Sequence, residues 1–142
     1  MKNIYLNLIF LLCVTFLLAF NVDAQNPVSL SMSVKPAKAK AGDKLTANIS
    51  ASIGGGWHMY SVTQGAGGPV PTSVKIADGV IKSAGGIRGS GVKREMDPNF
   101  GIVTETYSGS ATFTVPLAVD SSAQPGTQTV EASVRYQVCN DT

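Results

Sequence analysis

Strict alternation of apolar and polar residues constrains this chain more than any other feature. Leu45, Ala47, Ile49, Ala51 and Ile53 are separated by polar or small neighbours. So are Ala111, Phe113, Val115, Leu117 and Val119, and again Val130, Ala132, Val134, Tyr136 and Val138. A period of two sends every second side chain to one face of an extended strand, so each run offers one apolar face for burial. No long stretch repeats apolar residues at helical spacing with capping residues at its ends. Shorter strand candidates lie at 28–34, 57–61, 73–76 and 103–107. Ala41-Gly42-Asp43 and Gln124-Pro125-Gly126 read as turns, because glycine supplies positive φ and proline fixes its own. About seven strands at this spacing predict an all-β, antiparallel β-sandwich. Pro116 lacks the N–H that a strand ladder needs, which predicts an edge or a bulge at that point. Two stretches, 64–71 (QGAGGPVP) and 85–101, are rich in Gly and Pro. They predict long loops, which in a single domain are usually functional or disordered.

Ahead of this pattern, Lys2 precedes an almost wholly apolar run over 4–20, and Val22-Asp23-Ala24 forms a small-x-small site before Gln25. That is the pattern of a cleavable secretory signal peptide over residues 1–24, leaving one domain over 25–142. A membrane anchor is the competing reading of such a run. The cleavage pattern and the polar residues after it argue for removal, so the mature domain is predicted to be exported and not to span a membrane. Cys13 leaves with the leader, and Leu12 before it is too large for a lipoprotein site. The charge balance is slight, with 11 Lys and Arg against 9 Asp and Glu for a net of +2. Such a balance suggests neither nucleic acid nor an acidic lipid surface as partner.

One cysteine then remains, Cys139. Exported chains ordinarily pair their cysteines, so a single one points to a reactive thiol, an intermolecular pairing or a partner outside this sequence. An incidental buried thiol is the competing reading. Alternation turns Val138 inward, which puts Cys139 on the other face or just past the strand end. In GWHMYS, 56–61, His58 and Tyr60 share one parity and Trp57, Met59 and Ser61 the other, so an imidazole and a phenol would line one face together. No second histidine or acidic pair at ligand spacing accompanies His58, so no metal site is predicted. MDPNFG, 96–101, reads as a turn carrying one carboxylate and one aromatic ring. No Ser-His-Asp arrangement stands out, and Gly54-Gly55-Gly56 precede a strand rather than a helix, so no nucleotide fingerprint is present. No cofactor and no small-molecule substrate is predicted.

Four pieces together resemble a known family. GWHMYS, GGPVPT at 67–72, YSGSATFTVPLAV at 107–119 and YQVCND at 136–141 are similar to the N-terminal periplasmic domain of the bacterial thiol:disulfide interchange protein DsbD. The most specific piece is YQVCND, which looks like the family's first redox cysteine after a Tyr-Gln strand end. The resemblance implies an immunoglobulin-like sandwich in the periplasm that acts as a dithiol carrier. Such a domain takes electrons from a thioredoxin-like domain fed by a membrane-embedded segment. It passes them to thioredoxin-like periplasmic proteins, disulfide isomerases and cytochrome c maturation factors among them, through transient mixed disulfides.

Carried over by position, Cys139 corresponds to the redox cysteine. Tyr60 corresponds to an aromatic residue beside the thiols, and His58 stands where the family has another tyrosine. Residues 97–101 (DPNFG) fall where the family has a cap loop of the form Asp-Glu-Phe-Tyr-Gly, which covers the sulfurs until a partner docks. Asp97, Phe100 and Gly101 fit that form; Pro98 and Asn99 depart from it. The family also has a second cysteine a few residues after the first. It is expected past Thr142, so the domain is read as incomplete at its C-terminus. The competing function is an exported immunoglobulin-like interaction module with no redox role, because the sandwich alone decides nothing about activity.

Overall fold

A computed structural model describes residues 26–140; the predicted leader, 1–24, and the last two residues lie outside the described part. Eleven strands and no helix are found among the described residues. In chain order they are β1 Val28–Lys35, β2 Lys44–Ile53, β3 Trp57–Tyr60, β4 Ser73–Ile76, β5 Ile81–Ser83 and β6 Arg88–Gly89. β7 Lys93–Asp97, β8 Ile102–Ser108, β9 Ser110–Val119, β10 Ala132–Arg135 and β11 Val138–Asn140 follow.

The first two alternating runs become the longest strands, β2 and β9, ten residues each. They pair antiparallel so that Leu45 faces Leu117, Ala47 faces Val115, Ile49 faces Phe113 and Ala51 faces Ala111. All eight of these side chains are buried. Burying a side chain of the size of Leu, Ile or Phe stabilises a fold by about 1.5–3 kcal/mol, so this cross-strand block carries much of the core energy. β1 closes one side of the sheet against β2, and the short β5 and β6 line β9 on the other. The opposing sheet has the order β11-β3-β8-β7, and β4 and β10 form a separate pair beside it. Every pairing is antiparallel. The arrangement is a β-sandwich, as the alternation predicts.

Three local expectations change. Pro116 is not on an edge strand, since β9 is paired on both sides. The Pro116 carbonyl accepts from the Ala84 N–H, so the ring nitrogen faces the same way, toward the gap between β5 and β6. Neither of those strands pairs with Val115 or Pro116, so no ladder bond is missing there. The stretch 85–101 is not one loop, because it holds β6 and the edge strand β7. The 130–138 run is not one strand either. Ala132–Arg135 pairs with β4 and Val138–Asn140 pairs with β3, the chain changing partners at Tyr136 and Gln137. Its parity survives the change, since Val130, Ala132, Val134, Tyr136 and Val138 all pack on the core. That constancy is what brings the cysteine into place: with Val138 turned inward, Cys139 emerges on the outer face of the second sheet.

Candidate functional site

The site is built on that outer face. Cys139 on β11 stands directly across from His58 on β3, and His58 stands across from Ser108 on β8. The next row runs from Tyr60 through Thr106 to Lys93. β11 pairs only with β3 among the described strands, so the cysteine lies on an edge strand of three residues. The thiol is partly exposed and forms no disulfide. It donates a weak hydrogen bond to the Asn140 carbonyl at 3.5 Å.

The β7–β8 turn folds over this surface. Asp97 organises the turn through its own backbone neighbours: Oδ1 accepts the Asn99 N–H at 2.9 Å and the Phe100 N–H at 3.4 Å. The Gly101 N–H closes it on the Asp97 carbonyl at 2.8 Å. Gly101 adopts φ +65°, a left-handed conformation that glycine takes without a steric penalty, which accounts for its presence at the turn exit. Pro98, in second place, needs no partner for an N–H it does not have.

The turn meets the sheet at Tyr60. The Tyr60 hydroxyl points at Asp97 Oδ2 over a long 3.5 Å contact. Phe100 meets the Tyr60 ring edge-on with centroids 6.4 Å apart, and His58 meets it from the other side at 5.4 Å. Tyr60 is thereby only 1% exposed although its parity is the outward one. Its backbone is fixed as well, the N–H donating to Gln137 O at 3.1 Å and the carbonyl accepting from Thr72 Oγ1 at 2.6 Å. Burial first, then the negative charges of Cys139 and Asp97 and hydrogen bonds to both, push the Tyr60 phenol up to about 12. The phenol therefore stays protonated near neutral pH and keeps a proton to donate beside the sulfur.

The structure thus brings Cys139, His58, Tyr60, Asp97 and Phe100 together from three separate parts of the chain, with Gly101 shaping the turn that carries two of them. Phe100 reaches the site through Tyr60. The cleft beside the thiol, about 470 Å³, is walled by Asp97, Pro98 and Asn99 on one side and His58 and Cys139 on the other. Two of those wall positions are the ones that depart from the cap-loop form. Lys93, Thr106 and Ser108 also line the cleft and were not anticipated. Thr106 and Ser108 share the parity of His58 and Tyr60 across the ladder, a signal that becomes readable once β3 and β8 are known to pair. Among the described residues, no group of three or more His, Cys, Asp or Glu is placed to hold a metal ion.

A family model described as thiol:disulfide interchange protein DsbD, N-terminal, matches residues 24–142. No curated protein and no solved structure matches the chain.

Proposed function

The chain belongs to the family of DsbD N-terminal domains, and from that membership we propose that it relays electrons by thiol–disulfide exchange with Cys139 as the attacking sulfur. The observation that carries this reading is the position of Cys139, partly exposed and outside any disulfide, beside His58 and Tyr60 and across a cleft from the 97–101 turn. A thiol kept for packing would sit at the inward parity, where Val138 is.

The chemistry is balanced in two steps. The Cys139 thiolate attacks one sulfur of a partner's disulfide. An S–S bond forms between the two proteins, the partner's own S–S bond breaks, and the partner's second sulfur leaves as a thiolate. A second thiol of this protein then attacks Cys139 Sγ. This reading takes that thiol from a second cysteine a few residues after the first, as the resemblance implies. The interprotein bond breaks, the partner departs as a dithiol, and this protein holds the disulfide. A reduced thioredoxin-like domain returns it to the dithiol by the same exchange in reverse.

The protonated Tyr60 phenol offers a hydrogen bond to the sulfur without competing for its charge. The turn at 97–101 covers the cleft and has to move for a partner sulfur to approach in line. The partners are thioredoxin-like proteins with an exposed disulfide. DsbD N-terminal domains are periplasmic, and removal of residues 1–24 on export completes the reading.

The test uses the reduced protein and a thioredoxin-like partner whose resolving cysteine is changed to serine and whose remaining active-site sulfur is held as a mixed disulfide with thionitrobenzoate, the leaving group that attack by Cys139 displaces, the reaction being quenched in acid. A mixed disulfide containing Cys139, seen by non-reducing electrophoresis and peptide mass, is expected, and Cys139→Ser should abolish it. An adduct no more abundant than that of an unrelated exposed thiol would defeat the reading. The exported protein should begin at Gln25 by N-terminal mass.

A further inference from the structure

Glu105 is a buried carboxylate that the exchange chemistry does not use. It lies on β8 at the inward parity, between Val103 and Tyr107, and is 9% exposed. Isolated carboxylates are costly to bury, and this one is satisfied from two directions. Oε2 accepts the hydroxyls of Ser61, at 2.7 Å, and of Thr63. Oε1 pairs with the Arg94 guanidinium at 2.6 Å from the adjacent strand, where Arg94 is its direct cross-strand neighbour. The backbone repeats the pattern: the Ser61 N–H donates to the Glu105 carbonyl, and the Glu105 N–H donates to Gln64 Oε1, both at 2.8 Å. The hydroxyls of Thr63 and Ser61 and the Arg94 charge hold the carboxyl below the usual carboxylate range, so it is ionised at neutral pH.

What Glu105 fastens is the point. Ser61 follows Tyr60 directly. Arg94 lies three residues before Asp97 on the same strand, the stem of the covering turn. The Tyr60 hydroxyl and Asp97 meet at 3.5 Å across the cleft. Tyr60, Ser61, Glu105, Arg94 and Asp97 therefore form a closed mechanical circuit, with the buried carboxylate on one side and the phenol–carboxylate contact on the other.

We propose that Glu105 is a positioning residue for the thiol site, setting Tyr60 and the 97–101 turn against each other so that the turn closes over Cys139. This rests on the reading of Cys139 given above. An ion pair whose arginine lies largely in solvent contributes little net stability, so a positional role is what distinguishes this group from a packing element.

The isosteric change Glu105→Gln weakens both ties. The amide oxygen can accept from Arg94 while the NH2 donates to the Ser61 and Thr63 hydroxyls, which can accept, but the charge that strengthens each of these bonds is gone. Three variants are compared with the unaltered protein: Glu105→Gln, Arg94→Gln and Arg94→Lys. Iodoacetamide labelling of Cys139 reports how far the turn is open. Absorbance titration of the Tyr60 phenol, assigned by subtracting Tyr60→Phe, reports whether the tyrosine is still covered.

Glu105→Gln and Arg94→Gln should speed labelling, the latter by about two- to fivefold for a pair whose arginine is largely in solvent. The Tyr60 titration should move down from about 12 toward the ordinary tyrosine value. Arg94→Lys, which keeps the charge, should stay close to the unaltered protein. Arg94 is 71% exposed, so the two arginine variants decide the matter even if Glu105→Gln fails to fold. Folded variants that label at the original rate with an unmoved Tyr60 titration would overturn the proposal. Neither readout needs an exchange partner. Failure of the mixed-disulfide test would therefore remove the relay reading alone, and failure here would remove only the role of Glu105.

Discussion

The sheet centred on β2 and β9 and the sheet centred on β3 and β8 share one core, yet their outer faces differ. Outside the first lie Ser50, Ser52, Thr112 and their neighbours, short polar side chains open to solvent. Outside the second, Tyr60 and Thr104 are 1% and 4% exposed, and Phe100 of the 97–101 turn packs edge-on against the Tyr60 ring. The first sheet has ten-residue strands paired along nearly their whole length, whereas the strands that carry His58 and Cys139 are four and three residues long. Long strands with a continuous buried face resist local opening, and short edge strands yield more readily. The difference teaches where a reactive thiol can sit: on a short edge strand that tolerates approach, braced from behind by a sheet of longer, fully paired strands.

That contrast breaks if the two sheets respond alike to equivalent cuts. Phe113→Ala removes a ring that is 0% exposed at the centre of the first sheet. It should lower the unfolding free energy by about 3–5 kcal/mol in a denaturant titration. Phe100→Ala removes a ring that is 40% exposed on the covering turn and should cost well under half of that. Equal losses would mean that the turn is part of the core.

Alkaline pH sharpens the same contrast. Tyr60 is raised from 10.0 to about 12 in the folded protein, so between those values the native state holds a proton that the unfolded chain has lost. Stability from this group is complete below pH 10 and falls as pH rises toward 12, by roughly 2–3 kcal/mol in all. Tyr60→Phe should flatten that part of the stability–pH curve, and an unchanged slope would show that the phenol is not held as described. Gly89→Ala makes a smaller cut. A methyl group there would overlap the Tyr107 hydroxyl, which packs against the glycine from the opposite sheet. Overpacking of this kind costs about 1–3 kcal/mol, read as a lower thermal midpoint with Cys139 labelling unchanged.

The first sheet was far more legible in the sequence than the site, and particular residues show why. In β2 and β9 one face is buried and the other wet, so burial writes itself directly into a period of two. β7, Lys-Arg-Glu-Met-Asp, has no such period. It is an edge strand on which charges guard the open side and the inward Arg94 answers a buried carboxylate rather than an apolar wall. The break in the 130–138 run was invisible because exchanging one partner strand for another leaves the parity untouched. The shared face of His58 and Tyr60 could be read from parity and the turn at 96–101 from its own residues, whereas the covering role of that turn came from family resemblance. Glu105 did leave a trace. It is a carboxylate at the apolar parity of the 103–107 strand, between Val103 and Tyr107. An acid in that register either destroys the strand or is paired inside it.

The smallest effect is the one that bears most directly on mechanism. If the turn at 97–101 governs access to Cys139, small alkylating agents should react slowly with the unaltered protein. Phe100→Ala removes one edge-on aromatic contact to Tyr60, of a kind worth about 0.5–1.5 kcal/mol, so labelling should rise about two- to tenfold. Asp97→Asn should do less. Asparagine keeps the side-chain oxygen that accepts from Asn99 and Phe100, so the turn retains its shape and only the charge beside the Tyr60 hydroxyl is lost. The order of the two rates matters as much as their size, because it separates covering by the ring from repulsion by the carboxylate. Faster labelling in Asp97→Asn than in Phe100→Ala would make the charge, and not the lid, the restraint on the sulfur. Rapid labelling of the unaltered protein with neither variant having an effect would leave Cys139 an open thiol on an edge strand, and the interaction-module reading would then account for the chain better.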